Sequence, residues 1–531
     1  MLLSAKSTTL GLIMIWLCCT VQTSNVLRIL GIFPFQMKSQ FVMGEELLKA
    51  LAAKGHQVDV YSHFPLKNPI PNYNDISLEG TLPALTNNVT IEAVTSIPDT
   101  VQLMDSWYRD LCHPICDLLR MPQFQKLIRD PPKDPPYDII IMEFSMTHCF
   151  IPFGRHLNVP VIGVQALPLY PWQYDAFRNP VNLASEPNFV TSYFNPMSFP
   201  ERIGNFITHN RLIRLAHKYS DIQNNYILKY FGEGFPHAAD LLKDVALMFV
   251  VEDFSLFGAK AFMPKIVPVA GLHIANQSET LAKQVQEWLD ESTNGCVVFT
   301  FGSMIKIETL PRHIIEAFYK SFENIAPVRV LMKIAKPELL PAGLPSNVLT
   351  QTWLQQGAVL KHENTRAFVT HGGLMGTQES IYYEVPMIGI PIFFDQHYTL
   401  NTYASKKIAI KLPLYEVTEA TFTHALRQIL QNPKYRENVQ KVSRQMKDRP
   451  VSVMDTALFW VQYVHRHGKD ALKSASEDMP WWQVSLLDVY ASLVTLSLLA
   501  VFICIQLLKL IFKILISSTR KSKTSEIKKR N

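Results

Sequence analysis

Two successive series of β-rich apolar runs, each interleaved with helical patterns, constrain the fold more tightly than any other feature of this chain. The first series reads "NVLRILGIF", "GEELLKALAAKG", "HQVDVYS", then later "YDIIIME" and "VPVIGVQ". The second starts at Gly295 with "GCVVFTFGS" and continues through "VRVLMKI", "NVLTQTW", "RAFVTHGG" and "VPMIGIPIF". Strands alternating with helices are βαβ units, whose parallel sheets need helices on both faces. The expectation is α/β: two doubly wound domains, residues 25–275 and 276–480, meeting in the stretch 268–278. With 531 residues and 48% hydrophobic content the chain can fill two large cores. Residues 170–238, rich in aromatics and helical spacing, read as helices and loops elaborating the first domain.

The two ends of the chain carry addresses rather than fold. Residues 1–24 place Lys6 before a short apolar core and then small and polar residues, the layout of a secretory signal peptide. Residues 489–516 are apolar apart from Lys509 and Lys513, both near the distal end, and are long enough to cross about 30 Å of hydrocarbon. Trp481 and Trp482 precede this run as an interfacial anchor, and the basic tail 517–531 puts the C-terminus in the cytosol. Lys528 and Lys529 stand third and fourth from the end, which resembles the retrieval signal of proteins resident in the endoplasmic reticulum membrane. The body is then expected in the lumen as a single-pass protein, where the sequons at Asn88 and Asn276 can be glycosylated.

Charge excludes one class of partner. The formal net charge is +6, much of it in the tail after Leu508, so the body is close to neutral and no nucleic-acid partner is expected. Cys112 and Cys116, four apart on an expected helix, have the spacing of a metal-ligand pair, but no second pair accompanies them and no metal is expected.

The densest chemical signal lies in "WLQQGAVLKHENTRAFVTHGGLMGTQESIYYEVPMIGIPIFFDQ", residues 353–396. A strand ends in His371-Gly372-Gly373, and residues 377–383 are expected to form a helix. Glycines let backbone approach a ligand, and the free N–H groups at a helix start attract phosphate. This segment resembles the signature of the UDP-glycosyltransferases, here Trp353, Gln356, His371, Gly372, Gly373, Glu379, Asp395 and Gln396, and its detail is similar to the insect branch. The likeness extends to "FTFGSM" (299–304), "AKGHQVDV" (53–60) and "WVQYVHRHG" (460–468).

The resemblance implies the GT-B arrangement, two Rossmann-like domains facing a cleft, the first for the acceptor and the second for the UDP-sugar. Trp353 would stack on uracil beside Gln356, and Glu379 would accept from ribose hydroxyls. Ser303, His371, Gly372 and Gly373 would hold the diphosphate, Gly376 contributing backbone alone, and Asp395 and Gln396 would bind sugar hydroxyls. UDP-glucose or UDP-glucuronate is the implied co-substrate, with no cofactor and no metal. A small lipophilic acceptor, the membrane, and a homo- or hetero-dimer with relatives are the other partners considered.

The same resemblance raises a difficulty on the acceptor side. The family's base, a His in the loop after the first strand, falls here on Gln40, which accepts no proton at biological pH. The carboxylate that orients that His falls near Glu143 or His148, and His63 is a further base candidate. Three readings follow: a transferase for acceptors that need little base help, a transferase whose base has moved to His148 or another group, or a catalytically impaired protein that binds UDP-sugar or lipophilic ligands or modulates active relatives.

Overall fold

The computed structural model describes residues 26–274 and 280–530. The expected signal peptide and the sequon at Asn276 lie outside the described residues. The chain divides into two compact units, Met1–Lys473 and Ser474–Asn531.

The first unit contains two parallel sheets. The first sheet is β1 (Arg28–Phe33), β2 (Gln57–Ser62), β3 (Tyr73–Ser77), β4 (Ile139–Glu143), β5 (Val161–Gln165), β6 (Val245–Val250) and β7 (Ile266–Pro268), in the order 3-2-1-4-5-6-7. The second is β8 (Cys296–Thr300), β9 (Arg329–Lys333), β10 (Val348–Gln351), β11 (Thr365–Thr370), β12 (Met387–Gly389) and β13 (Ala409–Lys411), in the order 10-9-8-11-12-13. β4, β5, β6 and β8 are buried at every position, as expected of strands covered on both faces. In each sheet the strand order reverses once, between β1 and β4 and between β8 and β11. Such reversals open a crevice beyond the carboxyl ends of the strands, where open α/β sheets bind ligands. The two-domain α/β reading is therefore met, and the site should lie at those two points.

Five helices of the first unit set up that site and its frame. Helix α1 (Lys38–Ala53) follows β1 and buries Phe41, Gly44, Leu47, Leu48 and Leu51, spaced for one face of a 3.6-residue repeat. Helix α2 (Phe199–Phe231) opens on a capping box formed by Ser198 and Glu201. Helices α3 (Leu374–Tyr382) and α4 (Gln396–Ser405) follow β11 and β12. Helix α3 starts three residues before the expected Thr377, because Gly373 already serves as its N-cap.

The second domain does not keep the whole of residues 276–480. Helix α5 (Val453–His467) crosses back and buries Met454, Ala457, Val461 and Val464 in the core shared by β1, β6 and α1. Each large apolar side chain so buried contributes about 1.5–3 kcal/mol.

The cysteines form one bond that the sequence reading did not include. Cys116 is disulfide-bonded to Cys149, tying the helix His113–Asp117 to the turn after β4, so Cys112 and Cys116 are not a ligand pair. Cys112 is a free buried thiol 3.8 Å from the Met146 sulfur. Among the described residues no His, Cys, Asp and Glu group has the arrangement of a metal site.

The second unit ends in helix α6 (Leu487–Arg530), whose stretch Leu487–Arg520 contains an 18-residue window of mean hydropathy 2.5 and is long and apolar enough to cross a membrane. It begins two residues before the expected span.

Candidate active site

A single cavity of about 280 Å³ is lined from both sheets and meets both strand-order reversals. From the first come Lys38, Ser39 and Gln40 after β1 and Glu143 and Ser145 at the end of β4. The second contributes residues 300–305 after β8 and His371, Gly373 and Leu374 after β11.

The second sheet's loops are built alike. β8 and β11 each end in a threonine whose hydroxyl accepts from the N–H two residues on, Thr300 from Gly302 at 3.1 Å and Thr370 from Gly372 at 3.2 Å. These turns bring the glycines against the His371 ring. A Cβ at Gly302 would lie 2.7 Å from the ring and one at Gly373 would lie 2.8 Å from it. Gly302 also has φ +76°, which L side chains rarely adopt. The ring is thus wedged between two backbones that only glycine can provide. Desolvation, aided by the nearby Lys333 ammonium, lowers the His371 pKa to about 4, so the imidazole is neutral at pH 7. Its Nδ1 has no partner.

Gln356 and Glu379 form a pre-set pair, the Gln356 amide donating to Glu379 Oε2 at 2.6 Å. A Cβ at Gly376 would lie 2.7 Å from that same Gln356 nitrogen, so Gly376 leaves room for the pair. Buried His273 lies behind, its Nε2 donating to the Met375 carbonyl at 3.3 Å and standing 3.6 Å from Glu379 Oε1. Trp353 is 44% exposed, so the indole can receive another flat ring. Asp395 is buried with Oδ2 unpartnered, and burial pushes its pKa up to about 7. The Gln396 carbonyl accepts from the N–H groups of Ile392 and Phe393 at 2.8 and 3.0 Å, which fixes the loop that carries Asp395. All ten residues expected to hold the donor are brought to one place, nine of them on the cavity wall and Gly372 directly behind it.

The wall from the first sheet is different in kind. Gln40 stands in the first turn of α1, its Oε1 buried and without a partner. Glu143 closes β4, is buried, and also has an unpartnered Oε1. Burial pushes its pKa up to about 8, although the Ser145 hydroxyl and the Phe35 N–H pull the other way. Around them the wall is apolar, with Met37, Met104, Trp107, Met146, Leu167, Tyr170, Phe189 and Val190. Trp107 meets Phe394 edge-on at 4.7 Å, so the aromatic roof is shared by both sheets.

Two base candidates are not on this wall. His148 is buried beside α2, with Nδ1 3.2 Å from the Ser220 hydroxyl, and does not line the cavity. The short turn His148–Phe150 turns it toward α2, and burial lowers its pKa to about 4. His63 bonds the Pro34 carbonyl at 3.0 Å, also off the wall. Asn88 is exposed, and the Thr90 hydroxyl of its sequon caps the helix Ile91–Thr95.

Sequence reasoning missed Lys333, which ends β9 on the cavity wall, and the aromatic roof of Trp107, Phe393 and Phe394. A lysine closing an otherwise apolar strand was the available signal for the first. The roof joins residues more than 280 apart and left none.

The comparisons agree with this geometry. Residues 78–522 match the family described as UDP-glucoronosyl and UDP-glucosyl transferase. A UDP-glycosyltransferase of Dactylopius coccus, UGT5, is 33% identical over 88% of this chain and 89% of its own length. UDP-glucosyltransferase 2 of the same organism is 30% identical over 96% and 97%. Human UDP-glucuronosyltransferase 2A2 is 32% identical over 62% of this chain and 60% of its own. The crystal structure of the glycotransferase of kitacinnamycin superposes with a TM-score of 0.53 at 16% identity, covering 82% of this chain and 98% of that one, and so shares the fold. With the family matched over most of its length and its two sheets in the GT-B arrangement, the chain belongs to the UDP-glycosyltransferases.

Proposed function

We propose that the protein transfers a hexosyl group, glucose or glucuronic acid, from a UDP-sugar to a small lipophilic acceptor with inversion, without metal or cofactor. The observation that carries this reading is one cavity lined by a polar, pre-paired donor wall and an apolar acceptor wall. Uracil stacks on Trp353, ribose hydroxyls donate to Glu379, and the diphosphate meets Ser303, His371 and the N–H groups that open α3. These fixed donors stabilise the charge that develops on UDP as the C1–O bond breaks. Asp395 and Gln396 bind sugar hydroxyls.

Glu143 is the acid–base group of the acceptor wall. An amine or phenol attacks C1, UDP leaves with the bonding electrons, and the proton of the new bond passes to Glu143 when that group is ionised. At pH 7 it is largely protonated, because its pKa stands at about 8. Alcohols, which need a base, are therefore poor acceptors, whereas a neutral amine needs none to attack. The same absence of a base at Gln40 supports a second reading, an impaired relative that binds UDP-sugar or lipophilic ligands or modulates active partners. Anchoring in a membrane, that of the endoplasmic reticulum with a lumenal body, is the location proposed with it, supported by the apolar stretch of α6.

The deciding experiment measures UDP release by the full-length protein, with UDP-glucose and UDP-glucuronate each offered to phenols, alcohols and aromatic amines, for wild type and Gln40→His. Turnover of amines by wild type, with alcohols added by the substitution, is the expected result. UDP binding without any turnover until His is restored would establish the second reading, and no UDP binding at all would end the transferase reading.

A further inference from the structure

Lys333 is a cation in a place where cations are rarely left alone. It is 6% exposed, closes β9, and lines the donor side of the cavity. Buried ammonium groups are ordinarily paired with a carboxylate, because desolvating a lone charge is costly. Among the described residues none lies within ion-pair distance of this one; its nitrogen donates to two neutral oxygens, the Gly302 carbonyl at 2.8 Å and the Asn87 side-chain carbonyl. It also stands 5.7 Å above the Trp353 ring.

The residue that steadies it comes from the other half of the protein. Asn87 lies in a loop between β3 and β4, donates through its backbone N–H to the Ser303 carbonyl at 2.8 Å, and through its side chain to the Thr352 carbonyl at 3.1 Å. The loop continues as a parallel bridge, Val89 to Ile305, and seats Ile91 and Val94 in the core of the second half. Asn87 therefore touches the loop of Ser303, the strand end before Trp353 and Lys333 together.

We infer that Lys333 is the positive charge that pairs with the diphosphate of the bound UDP-sugar, and that Asn87, reaching over from the first half, is the residue that positions it. The inference rests on the reading of this cavity as the UDP-sugar site. An ammonium has three N–H donors, and two are directed at Gly302 and Asn87, which leaves one for a ligand. The neutral His371 ring packs against Gly302, so it cannot balance two phosphates by itself. Burial lowers the Lys333 pKa to about 8, with the Glu308 carboxylate opposing, so the group is mainly charged at pH 7. An anion bound beside it would raise that value further.

The test is calorimetric titration of the full-length protein with UDP at pH 7, with melting temperatures taken alongside. Lys333→Met is expected to weaken UDP binding about 10- to 100-fold, the range of a lost charge-assisted hydrogen bond. Lys333→Arg should restore it to within about threefold, and Asn87→Ala should weaken it by a smaller factor than Lys333→Met. Melting temperature should not fall in Lys333→Met, since the substitution removes an unpaired buried charge; Lys333→Gln serves if the Met variant does not fold. UDP affinity unchanged in Lys333→Met, or as weak in Lys333→Arg as in Lys333→Met, would overturn the inference while leaving the transferase reading intact. Failure of wild type to bind UDP would overturn that reading and the inference with it.

Discussion

The two walls of the cavity follow opposite rules. On the donor wall most polar groups are held in place, Gln356 by Glu379, Gln396 by the loop amides and His371 between glycines, although His371 Nδ1 and Asp395 Oδ2 lack partners. On the acceptor wall two polar oxygens, Gln40 Oε1 and Glu143 Oε1, are buried without partners among methionines and aromatics. A donor common to many reactions rewards preorganisation, since every donor must be aimed before charge develops. An acceptor that varies is better met by adaptable apolar surface with few fixed polar points. On the proposed function, the difference teaches that the identity of the leaving group is written rigidly and that of the nucleophile loosely.

The largest expected effect tests the rigid wall. His371→Ala should lower kcat about 10²- to 10³-fold by removing a donor aimed at the leaving diphosphate, measured as UDP release with an aromatic amine. A loss below tenfold would show that the donor wall does not act through preorganisation. Next, Gln40→His should raise turnover of alcohols about 10²-fold or more, the scale of general-base catalysis, and change amine turnover by less than threefold. Equal gains for both acceptors would erase the distinction between the walls.

Glu143 gives a pH-dependent test. Its pKa is raised from 4.5 to about 8 in the fold, so the folded protein binds more protons than the unfolded chain between those values, and its stability falls as pH rises through them. Glu143→Gln should flatten that fall and melt several degrees above wild type at pH 8, while matching it near pH 4.5. In kinetics, the same substitution should remove the rise in activity between pH 7 and 8. The smallest effect is expected for His148→Ala, within about twofold in kcat, because the ring faces Ser220 rather than the cavity. A loss of tenfold or more with unchanged melting temperature would move the acceptor chemistry to α2.

Much of this was legible in the sequence, for physical reasons that differ by region. Parallel strands buried on both faces must be continuous apolar runs, so β1, β4, β5, β8 and β11 announced themselves. Nine of the ten donor residues sit in one stretch of forty-odd positions folded as strand, turn and helix, so local spacing carried their geometry. The acceptor wall is assembled from β1, β4, the helix Thr100–Trp107 and the loop around Phe393, and no spacing encodes a contact between segments so far apart. His148 was misplaced for that reason: one turn after β4 decides whether a side chain meets the cavity or α2. The Cys116–Cys149 bridge was missed likewise, because the partner of a cysteine is set by the fold rather than by the nearest cysteine.

The return of α5 to the first sheet has a consequence for how such enzymes can be recombined. The scaffold of the first sheet is not inherited as one block of sequence: it is residues 26–274 together with 453–467. A chimera joined once, near residue 275, would keep one parent's Met454, Ala457, Val461 and Val464 and set them against the other parent's β1, β6 and α1. A two-junction exchange that carries α5 with its own sheet avoids that mismatch, and so marks the unit that can be exchanged intact.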